Sequence, residues 1–133
     1  EKEKDLRKVL NFGHTFAHAY EASLNYSKKL NHREAVLLGI KSALTFSHKK
    51  KYININDYNL IKNHFEDSNL PHNLKKFFSI KDINKILSFM TKDKKNNSKK
   101  INLILLKKIG SPVIDKKFNK SDLKLFLKKE LKN

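Results

Sequence analysis

A chain of 133 residues with a formal net charge of +17 has the length of one compact domain. It contains no Cys, which excludes disulfides and thiolate metal sites, so any metal would be bound by His, Asp or Glu. No apolar run is long enough to span a bilayer, and the first residues do not resemble a signal peptide. The composition therefore predicts a cytoplasmic protein without a membrane segment.

The positive charge comes almost entirely from Lys. Only Arg7 and Arg33 are Arg among the 30 basic residues, whereas proteins that read nucleic-acid sequence depend on Arg for guanine edges and phosphates. Lys is scattered over nearly every predicted helix, as is typical of solvated surfaces in a chain of biased composition. We therefore expect no specific nucleic-acid partner, and keep a basic helical nucleic-acid-binding module as the non-enzyme alternative.

Apolar periodicity predicts two helices in the first part of the chain. From Leu6 to Leu24 apolar residues recur at helical spacing, interrupted only by Gly13. After a loop from Asn25 to Asn31, a second helix begins near His32 and continues to about Phe46. Because this second helix is apolar almost all round, we expect it to be central and buried.

Two shorter helices are predicted next. The first extends from Asp57 to Phe65, with Asn54 or Asn56 as its N-cap, and Pro71 closes the turn that follows it. The second extends from Ile80 to Met90.

The last part of the chain contains the only candidate strands. The apolar, partly β-branched run from Ile101 to Leu106 favours a strand, and Gly110-Ser111-Pro112 favours a turn after it. Val113 and Ile114 could pair back on that strand, and Ser121 to Leu131 forms an amphipathic helix. The predicted fold class is mainly α, with at most one short β-hairpin.

Three of the six histidines, His14, His18 and His32, lie at the start of the two most apolar helices. His14 and His18 are four residues apart and share one helix face, a common way to present two imidazoles to one metal. The alternative is that one of them only caps or packs. Gly13 favours a functional site, because Gly within a helix costs about 1 kcal/mol relative to Ala and usually permits close approach of a backbone or ligand.

Several ordered motifs resemble the 3-dehydroquinate synthase family. The string RKVLNFGHTFAHAYE from Arg7 to Glu21 resembles the family signature, an Arg followed by LNFGHTFGHAIE. The string NHREAV from Asn31 to Val36 resembles LHGEAV, Met90 to Gly110 contains the MxxDKK pattern, and Asn69 to Pro71 fits GLP. The resemblance implies that residues 1–133 form the C-terminal helical catalytic domain of this fold, without the N-terminal NAD-binding domain.

The resemblance also implies an activity. The family cyclises 3-deoxy-D-arabino-heptulosonate 7-phosphate to 3-dehydroquinate with release of phosphate, in the shikimate pathway of aromatic amino acid biosynthesis. It uses and regenerates NAD, and zinc (or another divalent metal such as cobalt) acts as a Lewis acid. A homodimer is implied for the full-length enzyme, and this chain is expected to be inactive alone.

Two enzyme alternatives stay open beside this activity. One is another sugar-phosphate cyclase of the same fold, which would make cyclitols such as deoxy-scyllo-inosose or a valiolone precursor. The other is a metal-dependent polyol dehydrogenase, a more distant relative that lacks the paired LNFGHTF and HxEAV strings.

The metal and catalytic residues are carried over by the same resemblance. His14 and His32 correspond to two zinc ligands, and the third ligand, a Glu on an earlier helix, is absent from this chain. His18 corresponds to a residue that transfers protons and binds substrate, and Glu3 to the acidic residue credited with general-base work.

The substrate-binding residues follow from the resemblance as well. Arg7 and Asn11 correspond to substrate binders, as does one of Lys94 and Lys95, and the sequence does not choose between the two lysines.

Two residues depart from the family pattern. Ala17 replaces the second Gly of GHTFGH, and Arg33 replaces the Gly of LHGEAV. We expect Arg33 to point outward, since it would repel a metal bound by His32.

Overall fold

The computed structural model describes residues 13–91, 100–106 and 113–132. In these ranges the chain forms helices and one antiparallel hairpin, which confirms the predicted mainly α class. The elements are α1 (His14–Ser23), α2 (His32–Lys49), α3 (Ile55–Asp67), two single-turn 3₁₀ helices (Leu74–Lys76 and Ile80–Asp82), α4 (Ile83–Met90), β1 (Lys100–Leu106), β2 (Val113–Asn119) and α5 (Lys120–Leu131). None of the helices described is long and apolar enough to cross a membrane.

Helix α2 is the central element, as its sequence predicts. A capping box fixes its start: the Glu34 backbone N–H donates to Asn31 Oδ1 at 2.8 Å, and the Asn31 backbone N–H donates to Glu34 Oε1 at 3.0 Å. Farther along, Ala35, Leu38 and the segment Ser42–Ser47 are buried. Helix α2 packs against α1, α3 and β1, so its first turn is held in a defined position beside α1.

Helix α3 is longer than predicted, because it begins at Ile55 instead of Asp57 and ends at Asp67 instead of Phe65. Of the two candidate caps the structure uses Asn54, whose Oδ1 accepts from the Asp57 backbone N–H at 2.8 Å. Only Phe65 of this helix is buried. The Tyr58 ring stacks on His48 of α2 with centroids 4.4 Å apart, so His48 serves packing.

The predicted hairpin is present, but its second strand is longer than expected. β2 extends to Asn119, and its pairing with β1 runs from Leu106 opposite Val113 to Lys100 opposite Asn119. The residues after Ile114 are mostly polar, so the sequence did not predict that the strand continues through them. Pairing with a strand that is buried at alternate positions decides their backbone conformation.

Aromatic contacts join the hairpin to the helices. Phe46 of α2 meets Phe118 of β2 and Phe126 of α5 edge-on, with centroids 5.1 and 5.3 Å apart. Phe16 of α1 lies 5.8 Å from Phe126. A two-stranded hairpin is marginal by itself, and this packing supplies the apolar surface it needs.

Candidate functional site

Helices α1 and α2 cross with their backbones in contact. Gly13 has a left-handed φ of +78° and is the N-cap residue of α1, which corrects its predicted place inside a helix. A Cβ on Gly13 would lie 2.6 Å from the Gly39 carbonyl carbon, and a Cβ on Gly39 would lie 2.5 Å from the Gly13 oxygen. Such distances are too short for any side chain. The prediction that Gly13 permits close backbone approach is thus confirmed.

The partner in this contact, Gly39, carried no role in the sequence-based prediction. The sequence feature that could have indicated its packing role is a single Gly in the middle of the most apolar helix. A Cβ there would also come within 2.8 Å of the Ala17 Cβ. Ala17 is only 4% exposed. The methyl group that Ala17 adds to the family motif is therefore accommodated because the facing position has no side chain.

A cavity of about 170 Å³ lies beside this crossing and contains the predicted histidines. Its lining consists of Gly13, His14, Ala17, His18, Glu21, His32 and Val36. The structure thus brings His14 and His18 of α1 together with His32 of α2. Glu21 joins them, although its position in the motif gave it no predicted role. Arg33 is exposed and does not line the cavity, as expected.

His32 is tied to α1 through Glu21. Its Nδ1 lies 3.0 Å from Glu21 Oε1. The Glu21 side chain is only 15% exposed, whereas the His32 side chain is 79% exposed. The mainly buried carboxylate therefore anchors one edge of an imidazole whose other edge is accessible.

His14 and His18 are arranged along α1 as their spacing predicts. Their ring centroids are 6.4 Å apart, and the ring planes differ by 24°. His18 Nε2 lies 3.4 Å from the Tyr26 hydroxyl, a long hydrogen bond. His18 Nδ1 is buried, and the described part of the chain offers it no hydrogen-bond partner. A buried nitrogen of this kind costs free energy unless another group satisfies it.

The donor types in the cavity fit a divalent metal, but the set is incomplete. Imidazole nitrogens bind zinc and cobalt well, and His14 and His32 present them from two helices. Within residues 13–91, 100–106 and 113–132, no three His, Asp or Glu side chains are placed to hold one ion. Catalytic zinc sites normally use three protein ligands, so this arrangement leaves room for a ligand from outside the described residues.

The other predicted site residues are Glu3, Arg7, Asn11, Lys94 and Lys95. They lie outside the described residues, and their roles stay predictions. A second cavity of about 480 Å³, lined in part by Asn69, Pro71 and His72, contains none of the predicted site residues.

Sequence comparison relates the chain to synthases of known name. The 3-dehydroquinate synthase C-terminal family matches residues 1–96. The chain is 61% identical over 131 residues to the 3-dehydroquinate synthase of Pelagibacter ubique (strain HTCC1062), an alignment that covers 98% of this chain and 36% of that protein. It is 35% identical over 136 residues to the synthase of Bradyrhizobium diazoefficiens, with the same coverage of 98% and 36%. The chain therefore spans about a third of the length of these relatives.

Solved structures give the same fold. Over 90% of this chain, a crystal structure of 2-deoxy-scyllo-inosose synthase superimposes with a TM-score of 0.64 and 18% identity, and 31% of that chain is covered. The same enzyme complexed with carbaglucose-6-phosphate, NAD+ and Co2+ gives a TM-score of 0.66 and 21% identity, with 90% and 34% covered. The family match extends over most of the sequence and includes the His14, His18 and His32 motifs. The chain belongs to the 3-dehydroquinate synthase C-terminal family.

Proposed function

We propose that this chain is the metal- and substrate-binding part of a 3-dehydroquinate synthase, a lyase that cyclises 3-deoxy-D-arabino-heptulosonate 7-phosphate with release of phosphate. The observation that carries the proposal is the single cavity in which His14, His18 and His32 meet at the crossing of two helices. Family membership supports the choice of reaction. Because the chain spans about a third of the length of its relatives, the complete activity in this proposal needs a further, NAD-binding part.

In this proposal His14 and His32 hold a divalent metal, zinc or cobalt, together with a ligand from outside the chain. Such an ion, when bound, polarises a substrate oxygen and lowers the pKa of its hydroxyl. NAD, held by the other domain, would supply reversible hydride transfer. His18 lies on the cavity wall next to His14 and would carry protons to and from the substrate, since imidazole is the side chain best suited to proton transfer near neutral pH.

The remaining residues would bind the anionic substrate. Arg7 and either Lys94 or Lys95 would neutralise its carboxylate and phosphate, Arg more rigidly through its two-pronged guanidinium. Asn11 would donate and accept hydrogen bonds at its hydroxyls, and Glu3 would act as the general base. The support for these five residues is the family motif alone.

The cofactors have a second line of support. The structural neighbour whose complex holds NAD+, Co2+ and a sugar-phosphate analogue shares this fold over 90% of the chain, and the histidines of the cavity are suitable ligands for either metal. A homodimer and a cytoplasmic location are proposed from the family resemblance.

The roles of the two neighbouring histidines can be separated by mutation. The chain would replace the matching segment of the Pelagibacter ubique synthase, with which it shares 61% identity. In that chimera His14→Ala removes a proposed metal ligand, so metal content and turnover should fall together. His18→Ala removes a proposed proton carrier, so metal should be retained while turnover falls about 10²- to 10⁴-fold.

Metal analysis and 3-dehydroquinate formation are measured on both purified variants. His64→Ala, at an exposed position on α3, is the matched control and should change neither quantity. Loss of metal from His18→Ala as complete as from His14→Ala would refute the proposed division of roles. The simpler interpretation, in which His14 and His18 are a metal pair, would then hold.

A sibling cyclase is the second candidate, because the two solved structures described above are of 2-deoxy-scyllo-inosose synthase. Supplying the chimera with glucose 6-phosphate, the sugar that carbaglucose-6-phosphate resembles, tests it. Cyclitol formation from this hexose phosphate in preference to 3-dehydroquinate formation from the heptulosonate would favour the second candidate.

A further inference from the structure

We infer that Glu21 is a positioning residue, which holds His32 in the one tautomer that offers its Nε2 to a bound metal ion. The inference deepens the proposed function and rests on it for the identity of His32 as a ligand. The contact that carries it is the 3.0 Å approach of His32 Nδ1 to Glu21 Oε1 across the two helices.

The tautomer follows from the chemistry of the contact. An ionised carboxylate can only accept hydrogen bonds, so Nδ1 of His32 must carry the proton that it donates to Glu21. In a neutral imidazole the proton on Nδ1 leaves the lone pair on Nε2. Among the described residues no hydrogen bond is made by His32 Nε2, and the ring is 79% exposed, so this lone pair is accessible to an ion.

The burial of Glu21 distinguishes this contact from an ordinary surface ion pair. Exposed pairs contribute little, because both side chains are mobile and solvated. Glu21 is 15% exposed and is held on α1 between the buried residues Tyr20 and Ala22. It therefore has a fixed position from which it can orient a ring on α2.

Glu21 is better placed as a support than as a ligand. The described residues contain no trio of His, Asp and Glu able to hold one ion, although His14, Glu21 and His32 line the same cavity. One Glu21 oxygen is already engaged by the ring. Carboxylates that orient a ligating His in this way are common around metal sites, and their loss typically weakens metal binding about 10- to 100-fold.

The test uses the 133-residue chain labelled with ¹⁵N, and its readouts are the His32 tautomer and the affinity for Co²⁺. Long-range ¹H–¹⁵N spectra, recorded without metal at a pH where imidazoles are neutral, report the tautomer, and His32→Asn assigns the signals. Co²⁺ is then titrated into wild type, Glu21→Ala, Glu21→Gln and Glu34→Gln. Circular dichroism checks that each variant is folded.

Glu34→Gln is the matched control, since it removes the same charge two residues from His32 while Gln can still complete the capping box. We expect wild-type His32 to carry its proton on Nδ1. Glu21→Ala should lose that preference and bind Co²⁺ about 10- to 100-fold more weakly. Glu21→Gln keeps an acceptor oxygen and should retain much of both properties, and Glu34→Gln should match wild type.

Two results would overturn the inference. One is a wild-type His32 with its proton on Nε2. The other is an equal loss of Co²⁺ affinity in Glu21→Ala, Glu21→Gln and Glu34→Gln, which would show an effect of net charge alone. If the chimera, which supplies the further ligand, also binds no Co²⁺ through His14 and His32, the metal site of the proposed function fails, and the tautomer spectra of the chain still decide the role of Glu21.

Discussion

At the scale of single residues, a buried polar pair joins α1 to α2 close to the cavity. Tyr20 is 0% exposed, and its hydroxyl lies 2.6 Å from Ser42 Oγ. Tyr20 also precedes Glu21 in the chain, so its ring fixes the part of α1 that carries the proposed support for His32. The pair is expected to contribute to stability mainly because each hydroxyl satisfies the other in an environment without water.

Removal of both hydroxyls together should therefore cost less than the sum of the two single removals. Tyr20→Phe leaves Ser42 without this partner and should lower the free energy of unfolding by about 1–3 kcal/mol. The double variant Tyr20→Phe/Ser42→Ala should be closer to wild type than the sum of the single variants. Urea denaturation of all four proteins measures this coupling. Strictly additive losses would contradict it.

The same burial predicts how stability responds to alkaline pH. Burial raises the pKa of Tyr20 well above its ordinary value near 10, the hydrogen bond between Tyr20 and Ser42 opposes this, and the Glu130 carboxylate adds to it. The unfolded chain releases the phenol proton near pH 10, whereas the folded chain retains it. The unfolded state then binds fewer protons, so stability falls as pH rises above 10.

The contribution of Tyr20 to that fall is open to direct measurement. A single phenol contributes a slope of up to about 1.4 kcal/mol per pH unit between its unfolded and folded pKa values. Tyr20→Phe lacks the titrating group, so its free energy of unfolding should decline less steeply than that of wild type between pH 9 and pH 11. Parallel curves for the two proteins would contradict the prediction.

At the scale of elements, the crossing of α1 and α2 places the histidines. Gly13, Ala17 and Gly39 allow the two helix backbones to touch, and the cavity lies beside this contact. The backbones of α1 and α2 lie so close together that a larger residue at any of these three positions would push the helices apart. A change in the separation of the helices would therefore move His32 relative to His14.

Whether Gly39→Ala raises or lowers the stability of the protein tests this packing. At an unobstructed helix position, Gly→Ala stabilises by about 1 kcal/mol. Here the added Cβ would lie 2.5 Å from the Gly13 oxygen, and overpacking typically costs about 1–3 kcal/mol. We expect thermal unfolding at a lower temperature than wild type, together with weaker Co²⁺ binding. An increase in the unfolding temperature would show that the crossing is not tight.

At the scale of the whole molecule, the proposed function assigns to this chain only part of a catalytic apparatus. Two proposed metal ligands are present, and the usual catalytic zinc site requires three. We expect no 3-dehydroquinate formation by the purified chain with added NAD and zinc, and weaker metal binding than in the chimera. Phosphate release and metal content are measured side by side on both proteins. Measurable turnover by the chain alone would contradict the prediction.

The net charge of +17 is a property of the whole molecule and predicts how it binds DNA. A lysine-rich surface should bind DNA weakly and without sequence preference, through counterion release. The affinity should then fall steeply with salt and be equal for unrelated duplexes. Fluorescence anisotropy with two random sequences at several salt concentrations checks this. A salt-resistant preference for one sequence would revive the nucleic-acid alternative.

Local signals in the sequence predicted the α-helices, and they brought His14, His18 and His32 forward as candidate site residues. The start of α2 at His32 follows from local signals, because Asn31 and Glu34 satisfy backbone groups only a few residues away. The pairing of His14 with His18 on one face is equally local. The motifs indicated the family, since their residues occur in a fixed order along the chain.

How distant residues meet could not be predicted before the packing of the helices and the hairpin was known. The contact of Gly13 with Gly39 and the approach of Glu21 to His32 join positions at least 11 residues apart. The length of β2 likewise depends on its pairing with β1, which continues as far as Lys100 opposite Asn119. Periodicity records which face of a helix is buried, but it does not record which residue of another element that face meets. Those partners depend on the crossing geometry of the helices and on backbone pairing between strands, which arise only when the whole core is packed.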